Sequence, residues 1–471
     1  MISGRFLPVT EQEAEEIYQR GEKATVAALL ALVAEIALLK AQIAELNRKG
    51  YSPSTPSGMR PVYAKPSSKG RKKRPGRKRG HPGSHRRRPE RVERVKEHTL
   101  SQCPHCHASL SELPHPRTRY TEEIVPVPVE VTEHRIHRYW CKQCKRIVEP
   151  NIPDALPRST IGLRSLILSC WQHYGLGIPI EKILQMLNQA FQFKLTKGGL
   201  IQAWERLALL LRPVYDYIGK EARGSAVLHA DETGWRVNGK ANWLWCFTNK
   251  RVVYFVIDRS RGSPVVKRVL GKIFGGVLIS DFFRAYNSLK ALAKQRCTAH
   301  LFRELVKVDS SNRGEQWRAF RKRLCRLLRD GIRLHKDVKE LKGPVYKRRK
   351  ERLHKRLECI YVTSYQDSDC KRLAKRLRRH RDEIFTFLDH PEVSADNNHA
   401  ERQLRPAVTS RKNSYGNRSQ RGALAQAVHM SIFRTIYLRE KDPVDTLVNL
   451  VQHILTSGQM PAAWDNCTSL S

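Results

Sequence analysis

The stretch Ala226-Val227-Leu228-His229-Ala230-Asp231-Glu232-Thr233-Gly234-Trp235 places an acidic residue, Asp231, with Glu232 next to it, in a β-like run with apolar neighbours. Such a run, closed by a glycine and an aromatic, favours a β-strand. Two more strand-like runs follow, Asn242 to Thr248 and Val252 to Asp258, and the dipeptide Asn249-Lys250 between them suits a hairpin turn. A helical stretch from Pro264 to Leu270 leads to Gly275-Gly276-Val277-Leu278-Ile279-Ser280-Asp281, a buried strand that ends in an acid. Another helix is expected next, and then Arg296-Cys297-Thr298-Ala299-His300 as a fifth strand. The order strand, strand, strand, helix, strand, helix, strand is that of a ribonuclease H-like fold.

A carboxylate at mid-strand and another at the end of a neighbouring strand cost desolvation energy unless a cation lies between them. Far along the chain, Ser394 to Pro406 reads as a helix capped near Asp396 or Asn397, on which Asn398, Glu401 and Arg405 share a face. Glu401 is then placed to complete a metal cage while Arg405 faces phosphate. A pair of ions held by three carboxylates activates water or a 3′ hydroxyl and stabilises the leaving oxygen. Oxygen ligands favour Mg²⁺, with Mn²⁺ as a substitute. Taken singly, Asp231 caps a turn, Asp281 ends a strand and Glu401 pairs with Arg405. On spacing alone Asp258, Glu232 and Asp396 compete as ligands.

Lysine and arginine number 87 against 45 acidic residues in 471, a net charge of +42. A surplus that large opposes compaction unless a polyanion is the partner, and its clustering points to nucleic acid rather than a membrane surface. Met1 to Gln19 has no apolar core, and Glu35, Lys40 and Glu45 interrupt the apolar stretch Ala24 to Leu46, so a soluble intracellular protein is expected. Leu29, Leu32, Ile36, Leu39, Ile43 and Leu46 form the a/d seam of a coiled coil that pairs with another helix. From Tyr51 to about Lys96 the composition turns to Pro, Gly, Ser and basic residues, with Arg71, Lys72, Lys73, Arg74, Arg77, Lys78 and Arg79 at its centre. This tract builds no core and is expected to bind DNA phosphates with little base specificity.

Eleven scattered cysteines do not form a secreted disulfide framework. Cys103, Cys106, Cys141 and Cys144, two CxxC pairs separated by 34 residues, read as a zinc ribbon holding one structural Zn²⁺. Val125, Val127, Val129 and Val131 alternate like one face of an edge strand, with Arg135 to Tyr139 as its return. Helical periodicity from Thr160 to Leu211 breaks at Gly175 to Pro179 and again at Lys197-Gly198-Gly199. Ile180 to Leu211 therefore suits a helix-turn-helix, while Trp171 and Trp204 read as core.

The residues now on the page resemble the insertion-sequence-66 family of bacterial DDE transposases, the TnpC-like proteins. The likeness covers most of the chain: the leading coiled coil, the tract at Gly80-His81-Pro82-Gly83-Ser84-His85, the CxxC pairs, His-Ala-Asp-Glu-Thr at 229–233, Ser-Asp-Phe-Phe-Arg-Ala-Tyr at 280–286, Cys-Thr-Ala-His at 297–300 and Asn-Asn-His-Ala-Glu-Arg-Gln-Leu-Arg-Pro at 397–406. The family's usual Gly-Gln-Pro-Gly-His has His81 and Ser84 at its second and fifth places here. The resemblance implies that Asp231, Asp281 and Glu401 are the DDE triad, which decides against Asp258 and Asp396, and it favours the four cysteines as zinc ligands. It implies double-stranded DNA, both element ends and target, as partner, with accessory proteins and a place at the nucleoid in the bacterial cytoplasm.

The expected protein is thus an α+β multidomain chain. It comprises a coiled coil at 1–50, a basic linker at 51–98, a zinc ribbon at 99–157, a helix-turn-helix-like helical domain at 158–222 and a ribonuclease H-like core at 223–300 with 394–440. A helical insertion at 301–393 accounts for most of the 119 residues between Asp281 and Glu401, and a helix and tail at 441–471 close the chain. The apolar patterns of Ala423 to Tyr437 and Val444 to Leu455 predict closing core helices. Two other functions fit the same residues: a nuclease of this fold that hydrolyses without joining, and a DNA-binding protein whose centre is silent. All three acids being present argues against the latter.

Overall fold

The computed structural model describes residues 11–50, 89–111, 118–121, 129–337 and 343–461. Two compact units are present, one of residues 1–65, 135–184 and 195–471, the other of 66–134 and 185–194. The N-terminal helices are α1 (Glu11–Gln19) and α2 (Glu22–Gly50), and a small hairpin pairs β1 (Tyr139–Cys141) with β2 (Arg146–Val148). Next come α3 (Leu163–Cys170), a π-turn at Trp171–Gly175, α4 (Ile180–Phe191), α5 (Lys197–Leu210) and α6 (Arg212–Arg223). The expected break at Gly175 to Pro179 is present. The second break lies before Lys197, because the Thr196 hydroxyl caps α5 by accepting from Gly199 N, which puts both glycines in its first turn. Trp204 is fully buried on α5.

A mixed five-stranded sheet follows, built from β3 (Val227–Val237), β4 (Lys240–Thr248), β5 (Val253–Asp258), β6 (Ile273–Ser280) and β7 (Lys290–Arg296), with α7 (Ser263–Leu270) before β6. Its order is β5-β4-β3-β6-β7: the first three strands form an antiparallel meander, and β6 and β7 run parallel to β3. Asn238 and Gly239 take positive φ of 51° and 71°, as a tight two-residue hairpin between β3 and β4 requires. The Asn249 side chain accepts from Arg251 N and Val252 N and closes the next turn. Both faces of the central strands are covered, so β4 is buried at every position from Trp245 to Thr248.

The fifth strand differs from expectation. It is Lys290–Arg296, and Thr298 to His300 begin a helix, α8 (Thr298–Asp309), while only a 3₁₀ turn at Arg284–Tyr286 stands where a helix was expected. β7 has a half-exposed, lysine-rich face, so it lacks the apolar run that marks the inner strands. The returning strand expected at Arg135 to Tyr139 likewise begins only at Tyr139; Val129 and Val131 are not in a strand, and Val125 and Val127 lie outside the described residues. A strand there would need backbone partners on a neighbouring chain segment, and the described residues supply them only around the Cys141 turn.

Between β7 and the closing helices lie α8, α9 (Glu315–Lys336), α10 (Gly343–Val362) and α11 (Ser368–Arg379). Trp317, Phe320, Leu324, Leu357, Leu373 and Phe387 share one apolar core with Val277 and Ile279 of the sheet. The outer edge at β7 is sealed by this segment: Gln295 donates to Ile384 O and accepts from Phe387 N. The opposite edge is sealed by the last third of the chain, where α12 (Asn398–Ser414), α13 (Gln420–Leu438) and α14 (Pro443–Ser457) follow. Ser431 and Thr435 of α13 accept from Phe255 N and Val253 N, and Tyr215 donates to Phe255 O. An edge strand whose amides are taken up by side chains offers no template for another chain.

Two stability predictions arise here. A Cβ on Gly276 would lie 2.2 Å from Ser225 O and 2.7 Å from Ala226 O, in backbone that cannot yield. Gly276→Ala is expected to cost about 2–3 kcal/mol, read as a lower urea midpoint; an unchanged midpoint would show that the two chain segments are not in contact. His429 of α13 is buried with its Nε2 2.8 Å from Trp204 O, and burial pushes its pKa down to about 4. A folded value below the usual 6.5 means that the unfolded chain takes up the proton first, so stability is intact above pH 6.5 and drains as pH falls toward 4. Replacing it by Gln should make the loss of stability between pH 7 and pH 5 smaller by about 2 kcal/mol, whereas equal losses in both proteins would refute the buried neutral imidazole.

Candidate active site

Three elements carry the acids. Asp231 stands in the middle of β3, opposite Cys246 of β4. The parallel register Val227↔Val277, Leu228↔Leu278, His229↔Ile279, carried two residues further, puts Asp231 level with Asp281, the residue just past β6. Asp281 turns the chain there, its Oδ1 accepting from Phe283 N at 2.8 Å. Glu401 sits in the first turn of α12, the helix that packs across β3 and β4. A carboxylate is favoured at that end of a helix dipole.

The position of α12 is set by Asn397, wholly buried at its N-cap. Its Nδ2 donates to Ala230 O at 2.9 Å, and its Oδ1 lies 3.0 Å from His229 Nδ1. His399 adds a contact of 2.6 Å to Asn249 O in the β4–β5 turn. From the other side, Thr298 donates twice to Ala395 O, and Asn397 N donates to the Cys297 sulfur. The Asp281 end is held by Arg296, a fully buried guanidinium that donates to Asp281 O, Ser280 Oγ, Asn287 Oδ1 and Glu383 Oε2. Burial alone would raise the Glu383 carboxyl, but the hydrogen bond from His380 and the Arg296 charge hold it down to about 2.

The electrostatics of the acids are unfavourable as they stand. Burial, then the neighbouring Glu232, Asp281 and Glu401 charges, push the Asp231 carboxyl well above its ordinary range. Burial and Asp281 raise Glu232 to about 7, although Arg261 and the Tyr286 hydroxyl both donate to it. Glu232 is therefore tied down on both oxygens. Asp258 pairs with Arg268, and Asp396 accepts from Asn398 N. Glu401 receives Arg303 of α8, whose Nη2 lies 2.7 and 2.9 Å from its two oxygens. His300, one turn earlier, has Nδ1 3.9 Å from Glu401 Oε1.

An all-carboxylate set with excess negative charge suits a hard divalent ion. Among the described residues, however, no three His, Cys, Asp or Glu side chains are gathered closely enough to hold a metal together. Asn398 is half-buried and Arg405 exposed on α12, and Arg71, Lys72, Lys73, Arg74, Arg77, Lys78 and Arg79 lie outside the described residues. Asn397, Arg296, Arg303 and His300 were not singled out from the sequence as site residues. Asn397 entered there as a helix cap and as the first residue of the Asn-Asn-His-Ala-Glu motif, Arg296 as a strand residue and His300 as the last residue of Cys-Thr-Ala-His.

Each cysteine pair is a tight turn. In the first, His107 N donates to Cys103 O, and the amides of His105 and then Cys106 lower the Cys103 thiol. In the second, Cys144 N donates to the Cys141 sulfur at 3.3 Å between β1 and β2, and that amide lowers the Cys141 thiol. Amides aimed at sulfur favour the thiolate that binds zinc. No helix among the described residues is long and apolar enough to cross a membrane.

Comparison with known proteins bears on all of this. Residues 101–145 match the zinc-finger binding domain of transposase IS66. Three Sinorhizobium fredii proteins, each described as uncharacterized, are similar over most of their length. y4hP is 23% identical, with 77% of this chain and 73% of the relative covered; y4qI is 23% identical, covering 70% and 67%; and y4jD is 24% identical, covering 71% of each. Residues 158–425, more than half of the chain and the stretch that contains the sheet with all three acids, match the family described as Transposase IS66 family, to which this chain belongs.

Proposed function

We propose that this protein cuts DNA at the ends of a mobile element and joins the freed 3′ hydroxyls to target DNA, with Asp231, Asp281 and Glu401 as the catalytic carboxylates. The observation that carries this reading is the register that sets Asp231 level with Asp281, beside the helix whose first turn holds Glu401, where burial and the other acids push the Asp231 carboxyl well above its ordinary range. Natural proteins rarely keep such an arrangement without a cation to relieve it. Support for a ribonuclease H-like core comes from the order β5-β4-β3-β6-β7, an antiparallel meander continued by two parallel strands. Bound Mg²⁺ or Mn²⁺ supplies Lewis acidity and an activated oxygen nucleophile. Asp231 and Asp281 would hold it from the sheet and Glu401 from α12, while Arg405 and Asn398 orient the phosphates.

Other parts of the chain serve the same end. The basic tract from Arg71 to Arg79 neutralises DNA backbone with strong salt dependence. Cys103, Cys106, Cys141 and Cys144 hold a structural Zn²⁺, and α4 and α5 act as a helix-turn-helix. Leu29, Leu32, Ile36 and Leu39 are exposed along α2, which supports pairing with a second copy through the expected coiled coil. Accessory proteins and a nucleoid location in the cytoplasm belong to the same proposal.

The test uses duplexes bearing an element end with Mg²⁺. Wild type should nick the end and join pre-cut ends to a target plasmid, and Asp281→Asn should do neither. Cutting without joining would reduce the protein to a nuclease; equal activity in both proteins would remove the carboxylate mechanism.

A further inference from the structure

We propose that Arg303 is a built-in surrogate cation, which occupies the Glu401 carboxylate until a divalent metal displaces it; this rests on the reading of Glu401 as a metal ligand. A single nitrogen, Arg303 Nη2, lies 2.7 Å from one Glu401 oxygen and 2.9 Å from the other. One positive centre shared by both oxygens is the arrangement in which a carboxylate chelates a metal ion, and it differs from the two-nitrogen fork by which arginine usually grips an acid. The contact sets one positive charge against one of the three acids, while Asp231 remains pushed up by burial, Glu232 and Asp281.

The placement is not accidental to α8. Its start is clasped to the segment before α12 by the two Thr298 bonds to Ala395 O and by the Cys297 sulfur, so the first turns of the two helices are held side by side. Arg303 and His300, one turn apart, both present nitrogen to Glu401, and His300 Nδ1 is shielded from solvent without a hydrogen-bond partner. Arg303 itself is half-exposed, so its long side chain can leave for water at little cost. The displaced guanidinium remains at the rim of the acids. Metal entry therefore exchanges one cation for another at Glu401 and does not begin from a bare carboxylate.

Mn²⁺ binding to the full chain, followed by electron paramagnetic resonance of the free ion in the absence of DNA, tests this. Arg303→Ala and Arg303→Gln are expected to bind Mn²⁺ between about threefold and tenfold more tightly than wild type, the factor set by one partly exposed ion pair. Arg303→Lys, which keeps the charge, should stay near wild type, and Glu401→Gln should bind more weakly. If Glu401→Gln weakens Mn²⁺ binding while neither neutral Arg303 variant tightens it, the surrogate role is wrong and the metal site stands. If Glu401→Gln leaves Mn²⁺ affinity unchanged, the assignment of Glu401 as a ligand is itself overturned.

Discussion

Asp231→Asn should leave a protein that is more stable than wild type and at least about 10³-fold slower at cutting DNA. The two effects share one cause. In the metal-free protein the Asp231 carboxylate pays for burial and for repulsion by Glu232, Asp281 and Glu401. An amide of the same shape keeps the Oδ1 acceptor that receives Glu232 N at 2.9 Å and removes the charge. Stabilisation of about 1–2 kcal/mol is expected from relief of that repulsion, measured as a higher urea midpoint with metal chelated. The same removal of charge deprives a divalent ion of a ligand, so cleavage of an element-end duplex should collapse. A structural aspartate would show the reverse pattern, and an Asn variant that is less stable yet still cuts would end the catalytic assignment.

Arg296→Met should be the most destabilising single change near the site, by about 3–5 kcal/mol. The guanidinium is fully buried and spends its donors on Glu383, Ser280, Asn287 and the Asp281 carbonyl. Methionine fills much of the volume but leaves the Glu383 carboxylate without its arginine, the His380 hydrogen bond remaining. His380 and Arg296 together hold that carboxyl down against burial, so loss of Arg296 leaves a part-buried acid with less to offset its charge, which is costly. The combined variant with Glu383→Gln should recover part of the loss, a coupling that a double-mutant cycle measures. A single-variant cost under about 1 kcal/mol would mean that this network is ornamental.

The inner strands were legible because their chemistry is local. Val227 to Trp235, Asn242 to Thr248 and Val277 to Ser280 are strand-like runs rich in branched and aromatic residues, and those are the strands that the sheet buries. β7 was misplaced because Lys290-Ala291-Leu292-Ala293-Lys294-Gln295-Arg296 has one exposed face and Arg296 in the core, a pattern that reads as a surface segment until Glu383 is brought to meet it. The acids stood out as carboxylates in apolar settings. What surrounds them did not: Asn397 meets Ala230, and Arg303 meets Glu401, across 167 and 98 residues. Single-chain periodicity holds no record of such pairs. The tie of Glu232 to Arg261 and Tyr286 is of the same kind.

The hydroxyls of Ser431 and Thr435 that cover β5 have a bearing on biosynthesis. Strands β3 to β5 leave the ribosome long before α13 does, so the nascent meander keeps a bare flank through the synthesis of some 170 further residues. A messenger truncated after Glu401 but ahead of Ser431 would encode Asp231, Asp281 and Glu401 together with a sheet whose β5 edge is left open to neighbouring chains. Aggregation is the fate that this topology assigns to unfinished copies.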